Sequence, residues 1–327
     1  MRTLVIQTSF LGDMVLTTPL LARLAESDEV DVVGTPAAIA LLANHPAVQE
    51  RIPYDKRGVH RGIAGFSKVG MQLRHRRYDR ALLAQGSARS GALAMAAGIR
   101  ERIGFDTSAG RSFYTTRIPY VENEHHALRL LRLSGDTRSA APRPRLFPGG
   151  AERDAVDVLV KGVGDEPLIG LAPGSVWPTK RWPGYAALAQ ALVARGRLVI
   201  IGSVADGELA QRISAVAPAR VIDATGKLSL LASAELIRRC RVLVTNDSAP
   251  QHLASAVNTP TVTIFGPTVP AFGFGPLAEP SITLGLDSLP CRPCDKHGPV
   301  SCPLGHWKCM RELGVQEVVR AIEKLTG

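Results

Sequence analysis

The sequence predicts an α/β protein of two domains, each a parallel sheet wound with crossover helices. Three observations lead there. Apolar runs of strand length alternate with longer helical runs, which is the grammar of parallel sheets. The chain has 327 residues, and at about 100 to 200 residues per domain that length suggests two. Residues 139–150, Ser-Ala-Ala-Pro-Arg-Pro-Arg-Leu-Phe-Pro-Gly-Gly, continue neither period and read as a linker. The expected domains are residues 1–148 and 149–327, with the last helix able to pack back on the first domain.

In the first domain, residues 3–7 read as a buried opening strand, followed by a turn at Gly12 and an amphipathic pattern over 17–26. Residues 30–34 and 81–84 are further strands, the latter leading into a helix of small residues. The second domain repeats the pattern more cleanly. Strands are expected at 168–172, 198–202, 221–223, 242–245 and 261–265, with helices at 185–195, 207–216, 230–239 and 249–257. Ligands of open α/β sheets bind beyond the carboxyl ends of strands, so the strand-end loops are where chemistry is expected.

Composition excludes several classes. With 45% hydrophobic and 21% charged residues, the chain reads as globular rather than disordered. No run reaches the ~20 apolar residues of a membrane-spanning helix. The opening Met-Arg-Thr-Leu-Val-Ile-Gln is too short for a secretory signal, so a cytoplasmic location is expected. Charge is regional: residues 51–117 hold 14 Lys and Arg against 4 Asp and Glu, while residues 151–327 are nearly balanced at 18 against 16. Such a region attracts polyanions, whether nucleic acid, an anionic membrane surface or a phosphorylated glycolipid. The aromatic residues there (Tyr54, Phe66, Tyr78, Phe105, Phe113, Tyr114) do not alternate with the basic ones, so no nucleic-acid partner is expected.

Three loops carry candidate chemistry. In the first, Gly12 permits a tight turn and Asp13 starts the following helix, where it is either a capping carboxylate or a base. No G-x-G-x-x-G follows the opening strand, which removes the nicotinamide-dehydrogenase reading. The second, from Pro173 to Pro183, places Ser175, Lys180 and Arg181 between Trp177 and Trp182. It is either a diphosphate cradle or a packing surface over which the lysine stem lies. The third, Asn246-Asp247-Ser248-Ala249-Pro250-Gln251-His252, runs from a strand into a helix whose N-terminal amides would favour phosphate. There Asp247 either caps the helix or takes sugar hydroxyls.

Together, Gly12-Asp13 with Thr17-Thr18-Pro19, Pro173-Gly174 with Lys180-Arg181-Trp182-Pro183, and Asn246-Asp247-Ser248 with His252 and Phe265-Gly266-Pro267-Thr268 resemble the ADP-heptose:lipopolysaccharide heptosyltransferases, glycosyltransferase family 9. The resemblance runs from the first strand to about residue 270 and is nearest to the heptosyltransferase II type. It implies a GT-B architecture, two Rossmann-like domains with sheets facing a central cleft. The acceptor would be bound mainly by the first domain and ADP-heptose mainly by the second. It further implies Asp13 as catalytic base and Lys180 as the group on the leaving diphosphate. Gly12, Ser175, Asp247, Ser248, Ala249 and His252 become donor-binding residues. Arg57, Arg61 and Arg117 of the basic region become acceptor-binding residues for the inner core of lipopolysaccharide. The enzyme would lie at the inner face of the inner membrane, held peripherally by anionic lipid. One departure stands out: the family has Gly where this chain has Ala249, followed by Pro250.

No Asp-x-Asp occurs, and Glu29-Val30-Asp31 begins a strand, so no obligatory metal is expected at the donor site. Separately, Cys291, Cys294, Cys302 and Cys309 form C-x2-C-x7-C-x6-C, a spacing that suits a small structural zinc site or a set of reduced thiols. Two readings from other classes compete: a nucleic-acid-binding protein, and a sugar-nucleotide-binding protein without transfer activity.

Overall fold

The first strand, β1 (Arg2–Gln7), is buried from Thr3 onward on both faces, as an inner strand of a covered parallel sheet must be. The computed structural model describes residues 1–327, which divide into units Met1–Phe147 and Pro148–Gly327. In the first unit β1 is followed by α1 (Leu11–Leu24), β2 (Glu29–Gly34), α2 (Pro36–Ala40), β3 (Glu50–Pro53) and α3 (Gly62–His75). Then come β4 (Arg80–Leu83), α4 (Ala88–Ala96), β5 (Glu101–Phe105), β6 (Thr116–Ile118) and α5 (His126–Arg132). The six strands are parallel in the order β3-β2-β1-β4-β5-β6. The chain winds outward from β1 to one edge and resumes at β4 toward the other. The crevice beyond β1 and β4 is therefore the topological switch point, where such sheets bind ligands.

The second unit runs α6 (Gly150–Leu159), β7 (Leu168–Ala172), α7 (Tyr185–Leu192), β8 (Arg197–Ile200), α8 (Gly207–Ser214) and β9 (Val221–Asp223). It continues through α9 (Leu230–Arg239), β10 (Cys240–Asn246), α10 (Ala249–Val257), β11 (Thr261–Ile264), β12 (Ser281–Leu284), α11 (Lys308–Arg311) and α12 (Val315–Thr326). Its parallel sheet has the order β12-β11-β10-β7-β8-β9. This is the same winding, with the switch point between β7 and β10.

Two expectations are corrected. The amphipathic pattern expected over 17–26 belongs to a helix that already starts at Leu11, so Gly12 lies in its first turn rather than in a preceding loop, while Asp13 is at the helix start as expected. The helix also continues through Pro19. Proline lacks the N–H that would bond the Val15 carbonyl, and the Thr18 hydroxyl supplies that bond at 2.8 Å. The last helix packs on the sheet of its own, second unit. Val318, Val319, Ala321 and Ile322 of α12 share a buried cluster with Leu171, Val244 and Ile264, because its apolar stripe matches the uncovered face of the second sheet.

Candidate active site

Asp13 follows the switch-point strand β1, with its side chain only 15% exposed. One carboxylate oxygen accepts the Phe10 N–H at 3.2 Å, so part of the capping role is real. The other stands 3.6 Å from Nε2 of His126, the first residue of α5. Burial pushes the His126 imidazole down to about 4 against the opposing pull of Asp13. It is thus neutral near pH 7 and faces the Asp13 carboxyl without a charge of its own. The Thr17 hydroxyl donates to the Asp13 carbonyl at 2.7 Å and accepts from Gln7 Nε2 at 3.2 Å, tying the first turn of α1 to the end of β1.

Lys56 reaches the same strand end. Its ammonium donates to the Thr8 carbonyl at 3.0 Å and hydroxyl at 3.3 Å. Burial and the charges of Arg57 and Arg89 lower its pKa. Arg57 and Arg61 are exposed on the loop behind it. Arg117 is not brought to them: it lies on β6, at the opposite edge of the sheet from β3, and its guanidinium donates to the Arg111 carbonyl at 3.2 Å.

In the second unit the other two motif loops leave the adjacent strands β7 and β10 and meet at that switch point. Lys180 closes a short turn, Pro178–Lys180, and its ammonium donates to Asp247 at 2.6 Å, with both side chains about nine-tenths buried. The same oxygen of Asp247 accepts the Thr268 hydroxyl at 2.6 Å, and its second oxygen accepts Gln251 Nε2 at 2.9 Å. Asp247 therefore neither caps α10 nor offers a free oxygen pair. It holds Lys180. Asn246 joins the two loops, donating to the Pro173 carbonyl at 2.8 Å and accepting the Trp182 N–H at 3.2 Å. Ser248 is the N-cap of α10, and its hydroxyl donates to the Gly174 carbonyl at 3.3 Å. Ser175 accepts the Trp177 N–H at 3.3 Å, and its carbonyl accepts Arg181 Nε at 2.9 Å. His252 is buried beside Gln251, 3.4 Å from its amide nitrogen.

Residues 66–305 match the model of glycosyltransferase family 9 (heptosyltransferase). The chain is also 31% identical over 295 residues to lipopolysaccharide heptosyltransferase 2 of Escherichia coli (strain K12), covering 83% of this chain and 84% of that one. This chain belongs to glycosyltransferase family 9. The solved structure of the family 9 protein from Veillonella parvula DSM 2008 superposes with a TM-score of 0.89 at 26% identity, covering 99% of this chain and 97% of that one. That of E. coli ADP-heptose lipopolysaccharide heptosyltransferase II gives 0.84 at 27% identity, over 100% and 98%. The two Rossmann-like sheets are those of the GT-B class, and the protein is a glycosyltransferase.

Within this family 9 chain, Ala249 and Pro250 occupy the first two positions of α10. A missing N–H there belongs to a turn whose amides have no partner within the helix in any case, so Pro250 disrupts nothing. Sequence reasoning passed over His126, Lys56, Gln251 and Arg292. His126 had a signal, since His125-His126 opens an apolar run. Arg292 had none: its buried guanidinium donates to the carbonyls of Phe265, Gly266 and Thr268 and shapes the turn that presents Thr268 to Asp247.

The cysteine segment packs on the Lys180 loop. The Thr179 hydroxyl donates to the Pro299 carbonyl, Trp307 Nε1 donates to the Thr179 carbonyl at 2.8 Å, and the His297 ring stacks on Trp177. All thiols are free, and no three His, Cys, Asp or Glu side chains stand where they could hold one metal ion. The charges of Cys294, Cys302 and Cys291 all act on the Cys309 thiol, so the four cysteines of the motif stand near one another. Cys309 is drawn into the core on α11, where burial pushes its thiol up to about 11. Cys302 instead turns to the backbone amides of its own loop, including Trp307 N–H at 3.4 Å.

Proposed function

We propose that this chain transfers a heptosyl group from ADP-heptose to the inner core of lipopolysaccharide, with inversion. What supports this most is the buried Lys180–Asp247 pair at the switch point of the second sheet. In the displacement, the acceptor oxygen bonds to the anomeric carbon as the bond from that carbon to the diphosphate oxygen breaks. Asp13 takes the hydroxyl proton, and ADP departs from the opposite face through an oxocarbenium-like state. A carboxylate is a weak base for a hydroxyl, so it accepts the proton late, when bond formation has acidified it. Lys180 meets charge growing on the leaving diphosphate, an interaction stronger in the transition state than in the ground state.

Ser175, Ser248, Ala249 and the amides opening α10 would receive the phosphates, and Gly12 and His252 would be further donor-binding residues. Arg57 and Arg61, with Arg117 farther along the sheet, would bind acceptor phosphates and carboxylates. No divalent ion is required in this reading, because the protein's own donor set of one ammonium and helix amides neutralises the diphosphate. Association with the inner membrane would bring the enzyme to its lipid-borne acceptor. The test is incubation with ADP-heptose and a core acceptor lacking the terminal heptose, following ADP release and product mass. Transfer by the native chain, lost in Asp13→Ala while ADP-heptose binding persists, is the expected result. Faster turnover with a different nucleotide sugar would reassign the donor.

A further inference from the structure

Helix α3 buries Gly65, Val69 and Leu73 and turns its other side to solvent. On that side Ile63 is 85% exposed and Met71 58%, with Val59 in the preceding loop at 82%. Single exposed apolar residues are ordinary. Here Ile63, Ser67 and Met71 are spaced by four, which lays them along one stripe of the helix. Lys68 and Arg74 flank the stripe, both exposed and neither in an ion pair. Residues 51–77 hold eight Lys and Arg against a single Asp, so the surroundings of the stripe are strongly cationic. Two exposed apolar side chains two turns apart on one helix side, with cations nearby, fit the headgroup region of an anionic bilayer, where side-chain methyls enter the acyl boundary and cations meet lipid phosphates.

We propose that α3 is a membrane-docking face, with Ile63 and Met71 seated in the headgroup layer and Lys68 and Arg74 on anionic lipid. The loop leading to α3 is pinned by Lys56 to Thr8, at the strand end that also carries Asp13. Docking through α3 therefore presents that strand end to saccharides projecting from the same bilayer. The inference takes the lipid-borne acceptor from the function proposed above, but its test does not use transfer.

The full chain is sedimented with phosphatidylcholine vesicles, with and without phosphatidylglycerol, alongside Ile63→Ser/Met71→Ser and Lys68→Glu/Arg74→Glu variants. All four positions are exposed, so both variants keep the native circular dichroism spectrum. The native chain is expected on anionic vesicles only. Each cation near such a surface is worth about 5-fold in partitioning, so reversing two lowers binding by ~25-fold or more. The serine variant also loses vesicle binding, while turnover of both variants on a water-soluble, delipidated acceptor stays native. Equal binding to neutral and anionic vesicles, unchanged binding by both variants, or a native dimer that the serine variant dissociates would each overturn the proposal. Loss of transfer to the soluble acceptor by the native chain would instead count against the proposed reaction.

Discussion

Lys180 and Asp247 form a unit in which the carboxylate fixes the ammonium. Thr268 shares the Lys180-bonded oxygen of Asp247 and Gln251 donates to the other, so both oxygens are held before any ligand arrives. Breaking a buried ion pair by removing one charge costs about 3–5 kcal/mol. Asp247→Asn is accordingly expected to destabilise the chain by that order, as read by denaturant unfolding, and to weaken ADP-heptose binding together with it. A variant with native stability would mean the pair is solvated. At this scale the sequence identified the right residues but not their pairings. Asp247 reads as a sugar ligand or a cap until the partners 67 positions back and 21 ahead are visible. Such pairings depend on strand order, which no local spacing encodes.

Among elements, the segment carrying the cysteines buttresses the donor loop. Gly298 sits under Lys180 with a left-handed backbone (φ +84°), and a Cβ there would meet Lys180 Cε at 3.1 Å. Gly298→Ala is expected to cost about 1–2 kcal/mol through its backbone conformation and to lower turnover more than it lowers acceptor affinity. A melting curve and a steady-state kcat/KM comparison check both parts, and unchanged turnover would remove the buttress role. The strands that alternate cleanly with helices, β1, β7 and β10 among them, were legible because burial on both faces leaves long apolar runs. Strand β6, Thr-Arg-Ile, was not, because a short exposed edge strand is held by its neighbour's hydrogen bonds rather than by its own pattern. The early start of α1 escaped notice because Gly12 reads as a turn, whereas here it is a buried position in the helix's first turn.

Across the whole molecule, charge and buried histidines set the response to pH. Burial lowers both His45 and His126 from 6.5 to about 4. Their native pKa lies below the unfolded one, so the neutral-histidine contribution to stability is complete above about pH 6.5 and is lost as pH falls toward 4. Each histidine contributes up to about 1.4 kcal/mol per pH unit in that window. Denaturant midpoints measured from pH 7 to pH 4.5 should fall, with a shallower slope in His45→Gln; a flat profile would contradict the burial argument. The two-domain architecture was visible because both halves repeat one winding and a Pro- and Gly-rich stretch divides them. The placement of α12 was not, since an amphipathic helix shows which of its faces is apolar but not which sheet receives it.

The claim on which the mechanism turns is that a protein ammonium, held by Asp247, carries the charge of the departing diphosphate without help from a divalent ion. The most direct measurement is kcat for ADP release by the native chain and by Lys180→Met, each with a chelator and with added magnesium. The account predicts native turnover that the chelator leaves unchanged. It also predicts a loss on the order of 10² to 10³ in Lys180→Met that magnesium does not restore. Native turnover abolished by the chelator, or a Lys180→Met enzyme within a few-fold of native, would contradict it.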